Sequence, residues 1–255
     1  MYEIELHEPT EEFARCWSAA GGHLNKIADY PVQGWLKIDL VPPFLEHLSF
    51  RLGNQLFYVR IVGADEYLEV PGNPSGVLNV AKGCNGHACI MPMRRLGTEW
   101  VTDAPGWGLL DARTFEPIDP VAMLTEEKVE MTDWEFHDFG VQVVRTHIVE
   151  ELGFELMSSQ GNPEVDPSIW FVGENGPEWV VVRTVKFPEE EGNPPENIKD
   201  ITQYCSDLGV AGHFASVALA NSNQAEVKEG EKTLPIWRGS SMSVRFKGLV
   251  STALH

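Results

Sequence analysis

A chain of 255 residues, 43% hydrophobic and 22% charged, is long enough to bury a sizeable core in one large domain or two small ones. Its 38 acidic residues against 19 Lys plus Arg give a formal net charge of -19, which opposes a polyphosphate such as nucleic acid at long range and suits either simple solubility or a basic partner. No run approaches the roughly 20 apolar residues of a membrane span. The opening MYEIELHEPTEEF lacks the basic and apolar regions of a secretory signal, and four scattered cysteines indicate no disulfide framework, so no membrane and a cytoplasmic location are expected.

In chain order, Thr10 is placed to cap a short helix within residues 1–20, with Glu11 and Glu12 in the first turn where the helix dipole favours anions. Phe13 and Trp17, four apart, share its face. Residues 34–41 read as a strand stopped by Pro42-Pro43. Residues 47–52 and 55–62 flank Gly53-Asn54 and read as a β-hairpin. Residues 67–95 and 100–120 hold many Gly and Pro and read as irregular, with a turn at Pro105-Gly106-Trp107-Gly108. Residues 1–130 are therefore expected to form a β-rich N-terminal subdomain. Within it, Cys84, His87 and Cys89 offer three soft ligands to a metal such as zinc, with Cys16 or His47 as a fourth. Their spacing fits no common finger, and each also fits as an ordinary buried or surface side chain.

In the second half, Thr132 opens a helix running to about Leu152, with Phe136, Phe139, Val143 and His147 on one stripe and Gly153 as its stop. Strands follow at residues 154–158, 166–172 and 178–187. The unbroken β-branched run of the third suits a central strand buried on both faces. A helix over 196–208, with Ile198, Ile201, Cys205 and Leu208 on one face, leads to strands over 212–220 and 242–249. Cys205 reads as a core residue. His213 and Ser216 read as sharing one side of a strand, with no third group for a hydrolase triad. Trp237-Arg238-Gly239 reads as a turn with the indole packed inward, or else as a phosphate or partner contact. Trp100, Trp107, Trp134, Trp170 and Trp179 are expected core anchors. Glu189-Glu190-Glu191 reads as a solvated acidic run or a partner-binding loop.

The order helix, three strands, helix, strand from Thr132 onward resembles the core of the PD-(D/E)xK nuclease-like (restriction-endonuclease-like) superfamily. Over residues 131–255 the resemblance implies an α/β (α+β) fold with a central mixed β-sheet flanked by helices. It also implies a glutamate on the first helix, an aspartate at the start of the second strand, and an acid and a lysine two apart on the third. Glu135 and Asp166 stand at the first two places. Arg183 or Lys186 takes the lysine place, but then Val181 or Thr184 stands where the acid belongs. In such a site carboxylates would hold Mg²⁺, the metal would lower the pKa of the attacking water, and the cation would steady the developing charge. Asp138 and Glu174 are the alternatives for a migrated acid. Thr132-x-x-Glu135 is equally a helix capping box, and Asp166-Pro167 equally a loop-to-strand transition.

Two functions follow as expectations. One is a non-catalytic acidic protein on this scaffold that binds a basic protein partner, in an inhibitor or immunity-type role. The other is a divergent Mg²⁺-dependent DNA/RNA phosphodiesterase using Glu135, Asp166 and Arg183 or Lys186. The net charge and the missing third-strand acid favour the first.

Overall fold

The computed structural model describes residues 10–28, 35–37, 47–65, 68–70, 72–226 and 233–252. The chain divides into two compact units, one over His7–Val129 and one containing Glu130–His255.

In the first unit, the Thr10 hydroxyl accepts from Phe13 N at 3.1 Å and starts α1 (Glu11–Ile27). This helix is longer than its sequence suggests, because it continues through Gly21 and Gly22. Its buried stripe is Phe13, Cys16, Trp17, Ala20 and Leu24. The strands are β1 (Trp35–Lys37), β2 (Leu48–Leu52), β3 (Gln55–Gly63), β4 (His87–Leu96), β5 (Glu99–Thr102) and β6 (Leu110–Asp111), with α2 (Pro74–Gly83) between β3 and β4. They form one sheet in the order β1-β2-β3-β4-β5, with β6 also on β4. Of the strand expected over 34–41, residues 34 and 38–41 lie outside the described residues. The expected hairpin is β2–β3, turning at Gly53 with φ +55°. β3 and β4 run parallel, joined through α2.

Within the stretch 67–95, read as irregular from its Gly and Pro content, residues 74–83 are helical and 87–95 are strand. Pro74 sits in the first helical turn, where a missing N–H is harmless, and Asn73 caps Ser75 N. Pro92 lies inside β4, whose alternate residues Cys89, Met91 and Met93 are fully buried. These sulfur side chains, together with Phe50, Phe57 and Ile61, belong to the core that includes the α1 stripe.

The second unit starts at α3 (Asp133–Thr146), extended by a π-helical turn, His147–Glu151, and stopped near Gly153 with φ +74°. Then come β7 (Glu155–Ser159), β8 (Ile169–Gly173), β9 (Gly176–Lys186), α4 (Ile198–Cys205), β10 (Ala211–Asn221), β11 (Met242–Phe246) and β12 (Val250–Ser251). The sheet order is β11-β10-β9-β8-β7, with β12 on β10. β7, β8 and β9 form an antiparallel meander, β9 and β10 are parallel across α4, and β11 returns antiparallel.

Both faces of β9 are covered, which explains its unbroken apolar run. Val180 and Val182 belong to the core that includes Phe136, Val144 and Ile148 of α3. Trp179 and Val181 belong to a second cluster with Ile201 and Cys205 of α4. Gly140 lets α3 approach closely, since a Cβ there would overlap Thr184 Cγ2. Two expected core positions differ: Trp134 is only half-buried, and Leu208, beyond the end of α4, is 56% exposed. The whole is an α+β architecture of mixed sheets and helices. No described helix is long and apolar enough to cross a membrane.

Candidate functional site

Strand geometry decides which predicted site residues can meet. Successive side chains alternate across a sheet. On β9, Val180, Val182, Thr184 and Lys186 therefore face one way, toward α3, and Val181 and Arg183 face the other, toward α4. Gly140 against Thr184 and Val181 beside Ile201 fix the assignment.

On the α3 face, Glu135 is fully engaged. Thr132 N donates to its Oε2 at 2.9 Å while Thr132 Oγ1 accepts from Glu135 N at 3.2 Å, a complete capping box. Arg238 then donates to the same carboxylate through Nε (2.9 Å to Oε1) and a terminal nitrogen (3.1 Å to Oε2). The Arg238 side chain is 2% exposed and that of Glu135 9%. The 237–239 turn is thus an internal tie, with its guanidinium withdrawn from any outside phosphate. Lys186 Nζ reaches Asp133 Oδ1 at 2.9 Å and lies 4.2 Å from the centre of the Phe136 ring.

On the α4 face, Arg183 grips Asp166 with two parallel bonds of 2.8 and 2.5 Å and also donates to Val182 O. Both side chains are largely buried, at 25% and 14% exposure. Burial, with the Asp166 charge second, pushes the Cys205 thiol up to about 11, so it stays protonated and unreactive.

The structure brings Asp166 and Arg183 together and puts Glu135 and Lys186 across the sheet from them. Mg²⁺ needs carboxylate oxygens converging on one point, and here each carboxylate is saturated by a guanidinium on its own face. Asp138 lies against Gly161, and Glu174 is exposed in the β8–β9 turn. Among the described residues no group of three or more His, Cys, Asp or Glu is placed to hold a metal ion. The donor set does not fit Mg²⁺, and no water-activating step follows from it.

The zinc candidates are also dispersed into ordinary roles. Cys84 ends α2, and Cys89 is buried in β4 with its thiol donating to His87 O. The His87 ring bonds Gln55 Oε1 at 3.0 Å and stacks on Phe57. Burial, reinforced by Asp111, raises the Cys89 thiol, and burial with Glu12 takes Cys16 to about 12. His213 and Ser216 do not share a side, because three residues along a strand reverses the face. His213 Nε2 meets Glu178 Oε2 at 2.6 Å, while Ser216 Oγ accepts from Gly192 N at 2.7 Å. Neither the His213–Glu178 pair nor the Arg238–Glu135 tie has a local signal, since the partners stand 35 and 103 residues apart.

A family model described as a domain of unknown function (DUF8840) matches residues 134–252. The match falls inside the second unit, from α3 to β12. No curated protein and no solved structure matches the chain.

Among the described residues, the exposed charge of this unit is mostly acidic. Residues 130–255 carry 20 acidic side chains against nine Lys plus Arg. Seven of those nine cations are described, and five are committed to carboxylates: Arg183, Lys186, Arg238, Arg245 and Lys247. Arg245 and Lys247 tie down Glu190 and Glu191, so the acidic run beside β11 is cross-braced, and Lys247 lowers the Glu191 carboxyl. Glu155, Glu164, Glu174, Glu196, Asp200 and Asp207 stand exposed.

Proposed function

We propose that this chain is a non-catalytic binding protein on a PD-(D/E)xK-like scaffold, and that the acidic surface of its second unit engages a basic protein, as an inhibitor or immunity-type protein does. The strand order and the parallel β9–β10 crossover support the scaffold reading, which is associational for function. One observation carries the rest: the two acids the nuclease reading relies on, Glu135 and Asp166, are each closed by a bidentate arginine on opposite faces of one sheet. The surplus of exposed carboxylates, with most nearby cations already paired, supports a cationic partner over a polyphosphate.

The test has two arms. Calorimetric titration with Mg²⁺ and Mn²⁺ should give no binding heat, and plasmid DNA and a structured RNA should survive incubation with either metal. Metal-dependent cleavage that disappears in Asp166→Asn would overturn the proposal in favour of the phosphodiesterase. In the second arm, an arginine-rich polypeptide should bind with an affinity that falls steeply as salt rises, and Glu196→Lys with Asp200→Lys should weaken it. Binding of equal strength to a neutral polypeptide, or indifference to salt, would remove the electrostatic role.

A further inference from the structure

The first unit carries a groove of about 490 Å³ that nothing above employs. One wall is the outer side of α1, where Arg15, Ala19, Gly22, His23 and Lys26 form a stripe opposite the buried one. The other wall is residues 98–102, that is, β5 and the residue before it. We propose that this groove binds an extended acidic segment of a partner polypeptide, laid beside β5 as one more strand.

Four observations converge. First, β5 ends the sheet path, and no described strand pairs with its outer edge. Asp103 N donates to Pro92 O at 2.8 Å, and the register pairs Val101 with Arg94 and Glu99 with Leu96. By the alternation of an antiparallel ladder, the backbone groups of Trp100 and Thr102 then point away from β4, into the groove. An added strand takes its main-chain hydrogen bonds from such an edge.

Second, Gly21 and Gly22 sit in the middle of a 17-residue helix where glycine is unfavourable. A Cβ at either would meet nothing within 4 Å, so packing inside the described chain does not demand them. Gly22 lines the groove with Ala19 one turn away, and its absent side chain leaves room for another backbone against the helix.

Third, the dimensions match. Arg15 and Lys26 are eleven positions apart, about 16 Å along a helix, and five extended residues span about 17 Å. Fourth, the lining carries Arg15 and Lys26 against the single carboxylate of Glu99, in a chain of net charge -19. Among the described residues the ion pair of Arg15 is with Glu11, at 3.5 Å with both side chains exposed, a weak tie that leaves it able to turn toward a ligand. His23 lines the groove between the two cations, and its buried Nε2 has no hydrogen-bond partner among the described residues. The indole of Trp100, held by Glu12 Oε1 at 2.8 Å, pins the strand to the start of the helix. The segment would carry an acid near each end and small or β-branched residues between.

This inference is independent of the proposed function, since it concerns the other unit and a partner of opposite charge. The probe is a blocked hexapeptide of alternating valine and threonine with an aspartate at each end, titrated into the full-length ¹⁵N-labelled chain. Its control has lysine at both ends. The acidic peptide should shift the amides of Trp100, Thr102 and the α1 stripe, and the lysine peptide should not. Arg15→Glu with Lys26→Glu should weaken binding by about tenfold or more. Gly22→Leu should also weaken it while leaving the unfolding midpoint at or above that of the parent, so the loss cannot be misfolding. Equal binding of both peptides, shifts lying elsewhere, or an unchanged affinity in a folded Gly22→Leu variant would overturn it.

Discussion

At the level of single residues, Thr132-x-x-Glu135 illustrates how one string of letters serves two chemistries. A glutamate three positions after a threonine can reach back to its own helix or out to a metal. The sequence presents both, and only the position of Arg238, far along the chain, decides between them. The buried Glu135–Arg238 pair should therefore be structural. Removing either partner leaves a desolvated charge, and Glu135→Ala or Arg238→Ala should each lose about 3 kcal/mol or more in denaturant unfolding. The double variant should lose less than the sum, because each single change includes the stranded partner. Additive losses would mean the two side chains do not interact. The cysteines give a second prediction. Cys16, Cys84, Cys89 and Cys205 are all buried, and burial raises the thiols of Cys16 and Cys205 to about 12 and 11. A raised thiol means the folded state holds its proton more tightly than the unfolded one. Its stabilisation is present below the unfolded pKa and is lost as pH rises through the folded value. The native protein should leave a thiol reagent unconsumed at pH 8 and react at all four positions in denaturant, and its stability should fall between pH 9 and 12. Reaction of the native protein at pH 8 would show an accessible thiolate.

Among elements, the helix termini and the long strand runs were legible, because caps and apolar period are local signals. Thr10, Thr132 and Gly153 act as the sequence implies, and β9 is central as its valines suggest. Unlike the turn at Pro105–Gly108, the stretch from α2 to β4 was not legible. Proline and glycine there look like punctuation, yet Pro74 opens a helix and Pro92 sits within a strand, both decided by tertiary context. Glycines inside helices show the same dependence. Gly140 of α3 and Gly22 of α1 are alike in sequence, but a Cβ at the first strikes Thr184 of β9 and at the second meets open space. Gly140→Ala should thus destabilise by about 1 to 3 kcal/mol through overpacking. Gly21→Ala and Gly22→Ala should each stabilise by about 0.5 to 1 kcal/mol by lowering the entropy lost on helix formation. Thermal unfolding of the three variants checks both signs, and a loss at Gly22 would mean that something already fills the space beside α1.

For the whole molecule, charge was the plainest sequence signal, and the structure adds where the compensation lies. Burial of Arg238, and the near burial of Arg183, removes those cations from the surface balance. The exposed ion pairs Arg15–Glu11, Arg94–Asp103 and Lys247–Glu191 are short-ranged and contribute little to stability. Against them stands the repulsion of a net charge of -19, which acts over many residues at once. Salt weakens both, but unequally. Raising ionic strength from about 0.01 to 0.15 M shortens the screening length from about 30 to 8 Å. That damps repulsion between distant carboxylates and leaves pairs separated by a few ångströms largely intact. The unfolding midpoint should therefore rise over this range at pH 7. The rise should shrink as pH falls toward the carboxylate range, where protonation removes the repulsion itself. A midpoint that stays level or drops with salt would mean that the carboxylates are compensated locally, and the acidic surface would then have little field to offer a basic partner.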